Sequence, residues 1–188
     1  MKAQQQNFFD KETKKRYART AHGGRPSLGS RKLERPLSAK CWIHLVLKSE
    51  KAVGKLSFLH APNKIAVQKI LKEKARKFGV SIADEANVGN HIHLKIRITS
   101  RASFQKFLRA VTTLIARRVT GARRGKPFGK FWQDLAYTRV LKSYTEELNL
   151  KGYFHANRNE AEYGPAARVR VLKAFNDWVY RERLKFTG

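Results

Sequence analysis

The chain has 188 residues, with 41 Lys and Arg against 14 Asp and Glu, which gives a formal net charge of +27. This excess is larger than solubility requires and predicts a polyanionic partner such as nucleic acid. The single cysteine, Cys41, excludes an internal disulfide framework and a cysteine zinc cluster. No apolar run approaches the roughly 18 residues of a membrane span, so we expect no membrane partner and a cytoplasmic, nucleoid-associated protein.

The first 36 residues are rich in Gln, Lys, Arg, Gly and Ser and poor in apolar side chains. Such a segment cannot offset its ordering entropy by burial, which predicts a flexible basic arm over residues 1–36. Beyond the arm, we predict one folded domain over residues 37–160 and a helical extension over residues 161–188.

Hydrophobic periodicity predicts the elements of this domain in chain order. Strands are expected at 40–48, 80–88, 90–98 and 131–141, and helices at 62–78, 103–119, 144–159 and 165–184. The order β-α-β-β-α-β predicts an α+β protein with a ferredoxin-like split βαβ fold, an antiparallel sheet and C-terminal helices.

One face of such a sheet is buried under helices, and we expect the other face to stay open. That open face and a glycine-rich basic loop supply the residues expected to contact nucleic acid. They are Trp42 as an aromatic platform, with Lys95, Arg97, Arg123, Arg124 and Lys126 as phosphate contacts.

Two histidines, His91 and His93, alternate with Ile92 in the third predicted strand. Successive strand residues point to opposite faces, so both imidazoles project together while Ile92 is buried. Two imidazoles and one oxygen ligand would leave coordination positions open for water and a substrate phosphate. The pattern is compatible with a catalytic metal site, and two surface histidines would produce the same spacing.

Tyr153 and Asn157 lie four residues apart in a predicted helix, which places a phenol and an amide on one face. A phenol attacks phosphate poorly until its anion and the phosphate charge are stabilised, and a metal beside it would do this. Other tyrosines, Tyr137, Tyr144 and Tyr163, remain rival nucleophiles on the sequence alone.

The strand His91-Ile92-His93 followed by the helical segment Tyr-Phe-His-Ala-Asn at 153–157 resembles the HUH endonuclease superfamily. It is most similar to the single-tyrosine transposases and their REP-associated relatives, and segment 131–143 also resembles the strand before their nucleophile helix. The sequence after Asn157 departs from the usual proline-containing pattern. The resemblance covers residues 36 to 160.

This resemblance implies that residues 37–160 form an HUH transposase catalytic domain. His91, His93 and Asn157 would bind Mg²⁺ or Mn²⁺, and Tyr153 would attack single-stranded DNA beside a hairpin. The products would be a 5′-phosphotyrosine link and a free 3′-hydroxyl, as in DNA transposition or REP-hairpin processing. Whether the active site forms within a monomer or by helix exchange in a homodimer stays open.

A second class of function remains possible for these residues. The same sheet would serve a domesticated, noncatalytic protein that binds single-stranded DNA or RNA hairpins through Trp42 and neighbouring cations. Retention of Tyr153 together with both histidines favours the enzyme. A two-histidine phosphoesterase is disfavoured, because its motifs need a hydroxyl residue two positions after each histidine, which His44 and His93 lack.

Overall fold

The computed structural model describes residues 20–24 and 34–184, with side chains described through Val179. Its strands are β1 (Ala21–His22), β2 (Ile43–Lys48), β3 (Val80–Asn87), β4 (His91–Ile98) and β5 (Tyr137–Val140). Its α-helices are α1 (Ala61–Phe78), α2 (Arg101–Thr120), α3 (Tyr144–Tyr163) and α4 (Pro165–Leu184), with a short 3-10 turn at Gly54–Leu56. No described helix has both the length and the apolar character needed to cross a membrane.

The strands form one antiparallel sheet in the order β1-β5-β2-β4-β3. Strands β2 to β5, with α1 and α2 as the crossovers, have the element order and strand order of the split βαβ fold. The α+β fold class predicted from periodicity is therefore confirmed. Strand β1 is an addition at the β5 edge, where Ala21 pairs with Arg139.

The position of β1 corrects the prediction of a flexible arm over residues 1–36. Residues 20–24 are held by the β5 edge, and Arg35 donates hydrogen bonds to the carbonyl of Ala136 (2.7 Å) and to Thr138 Oγ1 (2.6 Å). The unpaired backbone of an edge strand accepts such additions readily. Residues 1–19 and 25–33 of the predicted arm lie outside the described part of the chain.

The main core lies between one face of the sheet and helices α1 and α2. Alternate residues of β2 and β4 supply its sheet side, and Phe104, Phe107, Val111 and Ile115 of α2 supply much of the opposite side. Ser100 caps α2 by accepting from the Ser103 N–H, and α1 ends at Gly79 with a left-handed φ of 63°. This layer leaves the other face of the sheet to α3.

Helix α3 covers the sheet face that we predicted to be open, so that prediction is wrong. Leu150 and Phe154 pack with Ala86 and Leu141 in a second apolar cluster, and Trp42 lies at its margin. An apolar stripe on α3 therefore finds a partner on this face of the sheet. The sequence pattern gave no sign that one helix would fold back across the face opposite α1 and α2.

Three ion pairs connect α3 to three different strands. With 2.7 Å between nitrogen and oxygen in each, they are Arg139 of β5 with Glu146, Lys95 of β4 with Glu147, and Asp84 of β3 with Arg158. Partly exposed pairs contribute only about 0–1 kcal/mol each, so their main effect is to fix the direction of the helix across the sheet. The residue after Asn157, where the sequence departs from the resembling family, thus anchors the helix.

The strand predicted over 131–141 is much shorter, and only Tyr137–Val140 pairs with β2. Upstream, Phe131 and Trp132 are anchored by side-chain contacts instead of a strand ladder. Ser49 Oγ donates to the carbonyl of Phe131 at 2.6 Å, and Trp132 Nε1 donates to the carbonyl of Thr112 at 2.9 Å. Phe131 and Trp132 pack against the core from a loop. Their aromatic composition is typical of a strand, which explains why the strand was predicted too long.

Helices α3 and α4 pack tightly at Gly152, immediately before Tyr153. A Cβ on Gly152 would lie 2.4 Å from the ring of Phe175. We expect Gly152→Ala to lower the melting temperature, because overpacking of about 1–3 kcal/mol outweighs a helix-propensity gain of about 1 kcal/mol.

Phe175→Ala provides the matched background for this test, because it removes the ring that the new methyl would meet. In that background the Gly152→Ala change should raise the melting temperature by its helix propensity alone. A stabilising effect of Gly152→Ala in the otherwise unchanged protein would contradict the close contact of the two helices.

Candidate active site

Strand β4 brings His91 and His93 to the face covered by α3, as their spacing predicted. His93 lies opposite Val46 of β2 and is only 3% exposed, whereas His91 lies opposite Lys48 and is half-buried. Their ring centroids are 4.7 Å apart. The two imidazoles therefore form one group, with His93 at its buried end.

The Nδ1 atom of each histidine is occupied by a neighbouring side chain. His91 Nδ1 lies 2.5 Å from Asn90 Oδ1, and His93 Nδ1 lies 3.0 Å from Nε2 of His44 on β2. The Nε2 atom of His93 is buried and has no hydrogen-bond partner. Because buried polar atoms are nearly always paired, this nitrogen indicates a position for a ligand.

Burial keeps all three imidazoles neutral at ordinary pH. It lowers the pKa of His44 to about 3, with a further contribution from Arg139, and it lowers the pKa of His91 to about 4, with Lys48 adding to the effect. Burial also places the pKa of His93 well below its ordinary value. Neutral imidazoles are the form that binds metal ions.

Tyr153 lies on α3 directly beside these histidines. Its ring centroid is 5.3 Å from that of His93 and 6.3 Å from that of His44. Of its rivals, Tyr144 and Tyr163 are 78% and 65% exposed, while Tyr137 has its ring centroid 6.0 Å from that of His44. The structure thus brings Tyr153 and both predicted ligands together within one chain.

Asn157 lies fully buried one turn beyond Tyr153, but its amide oxygen already has a partner. Arg168 of α4 donates through Nη1 to Asn157 Oδ1 and, at 2.7 Å, to Glu160 Oε2. Asn157 Nδ2 is buried and has no partner. An amide oxygen has two lone pairs, and Arg168 uses only one of them. A metal would bind Asn157 Oδ1 through the other.

Arg168 also contacts the tyrosine. Its guanidinium carbon lies 5.2 Å from the Tyr153 ring centroid. Burial alone would lower the pKa of Arg168, but hydrogen bonds to Glu160 and Tyr153 outweigh burial and raise it. A permanently charged group thus touches both the phenol and the amide.

The donor set fits a divalent ion only if Asn157 takes part. Within residues 20–24 and 34–184, no group of three His, Cys, Asp or Glu side chains could hold a metal. Two neutral imidazoles and one amide oxygen would leave several positions for water or phosphate oxygens, which suits a catalytic site. The unpartnered Nε2 of His93 is the observation that supports this fit.

Comparison with known proteins shows the family of this chain. Residues 38–157 match the family model described as "Transposase IS200 like". The chain belongs to this family. The match begins near β2 and ends at Asn157, so α4 and Arg168 lie beyond the matched segment of this transposase.

One solved structure shows the same fold at low identity. A REP-associated tyrosine transposase bound to a REP hairpin is 10% identical, with a TM-score of 0.56, covering 71% of this chain and 74% of its own. A protein described as a transposase from Deinococcus radiodurans is 18% identical, with a TM-score of 0.43, covering 68% of this chain and 98% of its own. The comparison with curated proteins gave no match.

Among the predicted DNA contacts of the transposase, those on the sheet have protein partners. Trp42 is half-buried, with the Arg97 guanidinium 4.2 Å and the Lys95 ammonium 5.0 Å from its ring, and Lys95 also pairs with Glu147. Such partners compete with phosphate and base stacking. The sheet therefore offers exposed Arg97 more readily than Trp42 or Lys95.

The basic loop between α2 and β5 is exposed at all three predicted residues, Arg123, Arg124 and Lys126. A bridge between Arg123 and Lys126 folds it into a tight turn. The loop leads to Phe131, which bonds to Ser49 just after β2, and β2 ends opposite His91. The loop thus emerges at the same end of the sheet as His91.

Sequence reasoning assigned no role to two residues of the site, His44 and Arg168. His44 was visible as a polar residue inside an apolar strand, and its register with β4 follows once the strands are paired. Arg168 lies on a helix with no family resemblance, and it reaches the site only because α4 folds back along α3. No local pattern predicts that return.

Proposed function

We propose that this transposase cleaves and rejoins single-stranded DNA through a covalent bond to Tyr153, with Mg²⁺ or Mn²⁺ held by His91, His93 and Asn157. The observation that carries the proposal is the position of the Tyr153 ring, 5.3 Å from a buried histidine whose Nε2 has no partner. A candidate nucleophile and an unpartnered ligand nitrogen thus lie in one site.

The reaction is a transesterification at phosphorus. The Tyr153 phenolic oxygen forms a bond to the phosphorus while the bond to the 3′ oxygen breaks, and the phenolic proton is balanced by protonation of that leaving oxygen. A bound divalent ion would polarise the scissile phosphate and fix its orientation. Arg168 contributes positive charge beside the phenol and holds the Asn157 amide in place.

Burial supports the chemistry by fixing the residues behind the nucleophile. His93, Phe154 and Asn157 are each at most 3% exposed, while Tyr153 is only partly covered. The phenol can therefore meet a strand that enters from solvent, while the ligands behind it stay fixed. Because Tyr153 lies beside histidines of its own chain, we propose that one chain forms a complete active site.

We propose single-stranded DNA next to a hairpin as the substrate. Support comes from the REP hairpin bound by the transposase of similar fold, together with the net charge of +27. The test incubates the protein with a library of single-stranded hairpins and Mg²⁺ or Mn²⁺, then sequences the strands that become covalently attached. Hairpin binding without any attached strand would instead support the noncatalytic binder.

The basic loop should carry more of the phosphate binding than the sheet does. We expect the combined change of Arg123, Arg124 and Lys126 to Ala to flatten the slope of log K against log salt by about 2, at about 0.7 per lost contact on a single strand. The measurement is a hairpin titration over a range of salt, in a Tyr153→Phe background that prevents cleavage.

Lys95→Ala is the matched control for this loop variant, because Lys95 is already paired with Glu147 at 2.7 Å. Its slope should change by less than one contact. If the loop variant retains the original slope, the DNA phosphates are bound elsewhere, and the basic residues among positions 1–19 become the next candidates.

A further inference from the structure

Within the proposed metal site, His44 makes a contact that neither the family match nor the proposed chemistry assigns. Its Nε2 lies 3.0 Å from Nδ1 of His93, and the two rings lie nearly parallel at 24° with centroids 5.3 Å apart. His44 is on β2, which pairs directly with β4, the strand of His91 and His93. It is thus fixed by backbone pairing and not by a mobile loop.

We propose that His44 is a positioning residue that accepts a hydrogen bond from His93 Nδ1 and so keeps the lone pair of His93 Nε2 free for a divalent cation. This inference rests on the proposed function for the identity of the site. It concerns which ring nitrogen of His93 carries the proton, a property that can be measured without metal or DNA.

The tautomer follows from counting protons. A neutral imidazole carries one N–H, and only one proton fits between His44 Nε2 and His93 Nδ1. If His44 donated that proton, the single N–H of His93 would have to sit on Nε2. His93 Nε2 would then be a buried N–H without an acceptor, and it could not bind a cation.

The alternative tautomer avoids this cost. With the proton on His93 Nδ1, the hydrogen bond to His44 is made and the buried Nε2 is left as an acceptor. Buried N–H groups without acceptors are rarer in proteins than acceptors with unused lone pairs.

His91 shows the same arrangement with a different partner, which argues that the arrangement is a feature of the site. Asn90 Oδ1 lies 2.5 Å from His91 Nδ1 and can only accept, so the N–H of His91 is on Nδ1. Both histidines of β4 then carry no proton on Nε2. Histidine ligands commonly donate their other N–H to such a partner, and the partner fixes the ring orientation.

The surroundings of His44 exclude a role as a direct ligand. Its ring is enclosed by those of Tyr137, Tyr153 and Phe154, with centroids 6.0, 6.3 and 5.5 Å away. His44, His91 and His93 do not form a three-residue metal group within the described residues. His44 therefore acts through His93.

The experiment records long-range proton–nitrogen NMR correlations of histidine in the full-length, metal-free protein at neutral pH. Wild-type His93 should be protonated at Nδ1 and unprotonated at Nε2. In His44→Phe, which has no acceptor, His93 should shift toward the Nε2–H form, and Mn²⁺ affinity measured by calorimetry should fall about 10–100-fold.

His44→Gln is the conservative variant, because its amide oxygen can occupy the place of the imidazole Nε2. It should restore the Nδ1–H form of His93 and most of the Mn²⁺ affinity. Val46→Ala, which loosens packing opposite His93 without touching the hydrogen bond, should leave the tautomer unchanged. If His44→Phe does not fold, the wild-type spectrum and the Gln variant still decide the question.

Two results would overturn the proposal: an Nε2–H tautomer of His93 in the wild-type protein, or an Nδ1–H tautomer that persists in His44→Phe with unchanged Mn²⁺ affinity. Failure of the proposed function is distinguishable from both. A protein that has the expected tautomer but forms no DNA adduct would refute the chemistry and leave the role of His44 intact.

Discussion

Tyr153→Phe should abolish covalent attachment to DNA while leaving hairpin affinity within about threefold of the wild-type value. The change removes only the phenolic oxygen, and the ring that contacts His93 at 5.3 Å and Arg168 at 5.2 Å is kept. An interaction made only by the reacting atom affects the chemical step and not substrate binding. Denaturing gels of labelled hairpins measure attachment, and equilibrium titration measures affinity.

Tyr137→Phe is the control for this prediction, because Tyr137 is the rival whose ring lies nearest to the site, 6.0 Å from His44. It should form the adduct at close to the wild-type rate. An adduct that persists in Tyr153→Phe and maps to Tyr137, Tyr144 or Tyr163 would transfer the nucleophile to that residue.

The second large effect is expected at the histidines. His91→Ala and His93→Ala should each remove metal-dependent cleavage, because loss of a direct ligand exceeds the roughly 10–100-fold effect of a residue behind it. His91→Ala is the cleaner variant, since His91 is half-buried, whereas truncating the buried His93 also costs stability. Single-turnover cleavage and Mn²⁺ calorimetry provide the two measurements.

Asn157→Ala should weaken cleavage less than either histidine change, because water can replace one neutral oxygen ligand. His155→Ala, an exposed histidine on the same helix, should have no effect on cleavage or on Mn²⁺ binding. Chelator should reproduce the histidine variants in the wild-type protein. Undiminished cleavage in chelator would remove the metal from the mechanism.

Local periodicity predicted most of the fold because helices and strands here bury one regular face. Helix 165–184 was predicted with the bounds that the structure shows, and the strand carrying His91 and His93 was predicted within one residue. The strand at 131–141 was predicted too long, since Phe131 and Trp132 have strand composition but fill the core from a loop. The amino-acid composition of a segment indicates whether it is buried, but a buried segment need not pair as a β-strand.

The parts of the candidate site that lie within one strand or helix were predictable from the sequence. The parts that depend on contacts between several strands and helices were not. The spacing of His91 with His93, and of Tyr153 with Asn157, follows from strand and helix geometry. The contacts of His44 and Arg168 depend on strand register and on the return of α4, which no short pattern encodes. The three ion pairs between α3 and the sheet join residues 7, 52 and 74 positions apart in the sequence, so no short pattern predicts them.

The most direct test of the account is to map the attachment site in the wild-type protein. The full-length chain is incubated with single-stranded hairpins and Mn²⁺, digested, and analysed by mass spectrometry together with the ends of the released DNA. We predict one modified peptide, with Tyr153 linked to a 5′-phosphate, and a released strand that ends in a 3′-hydroxyl. Attachment at another residue, a 3′-phosphate on the released strand, or tight hairpin binding without attachment would contradict the account.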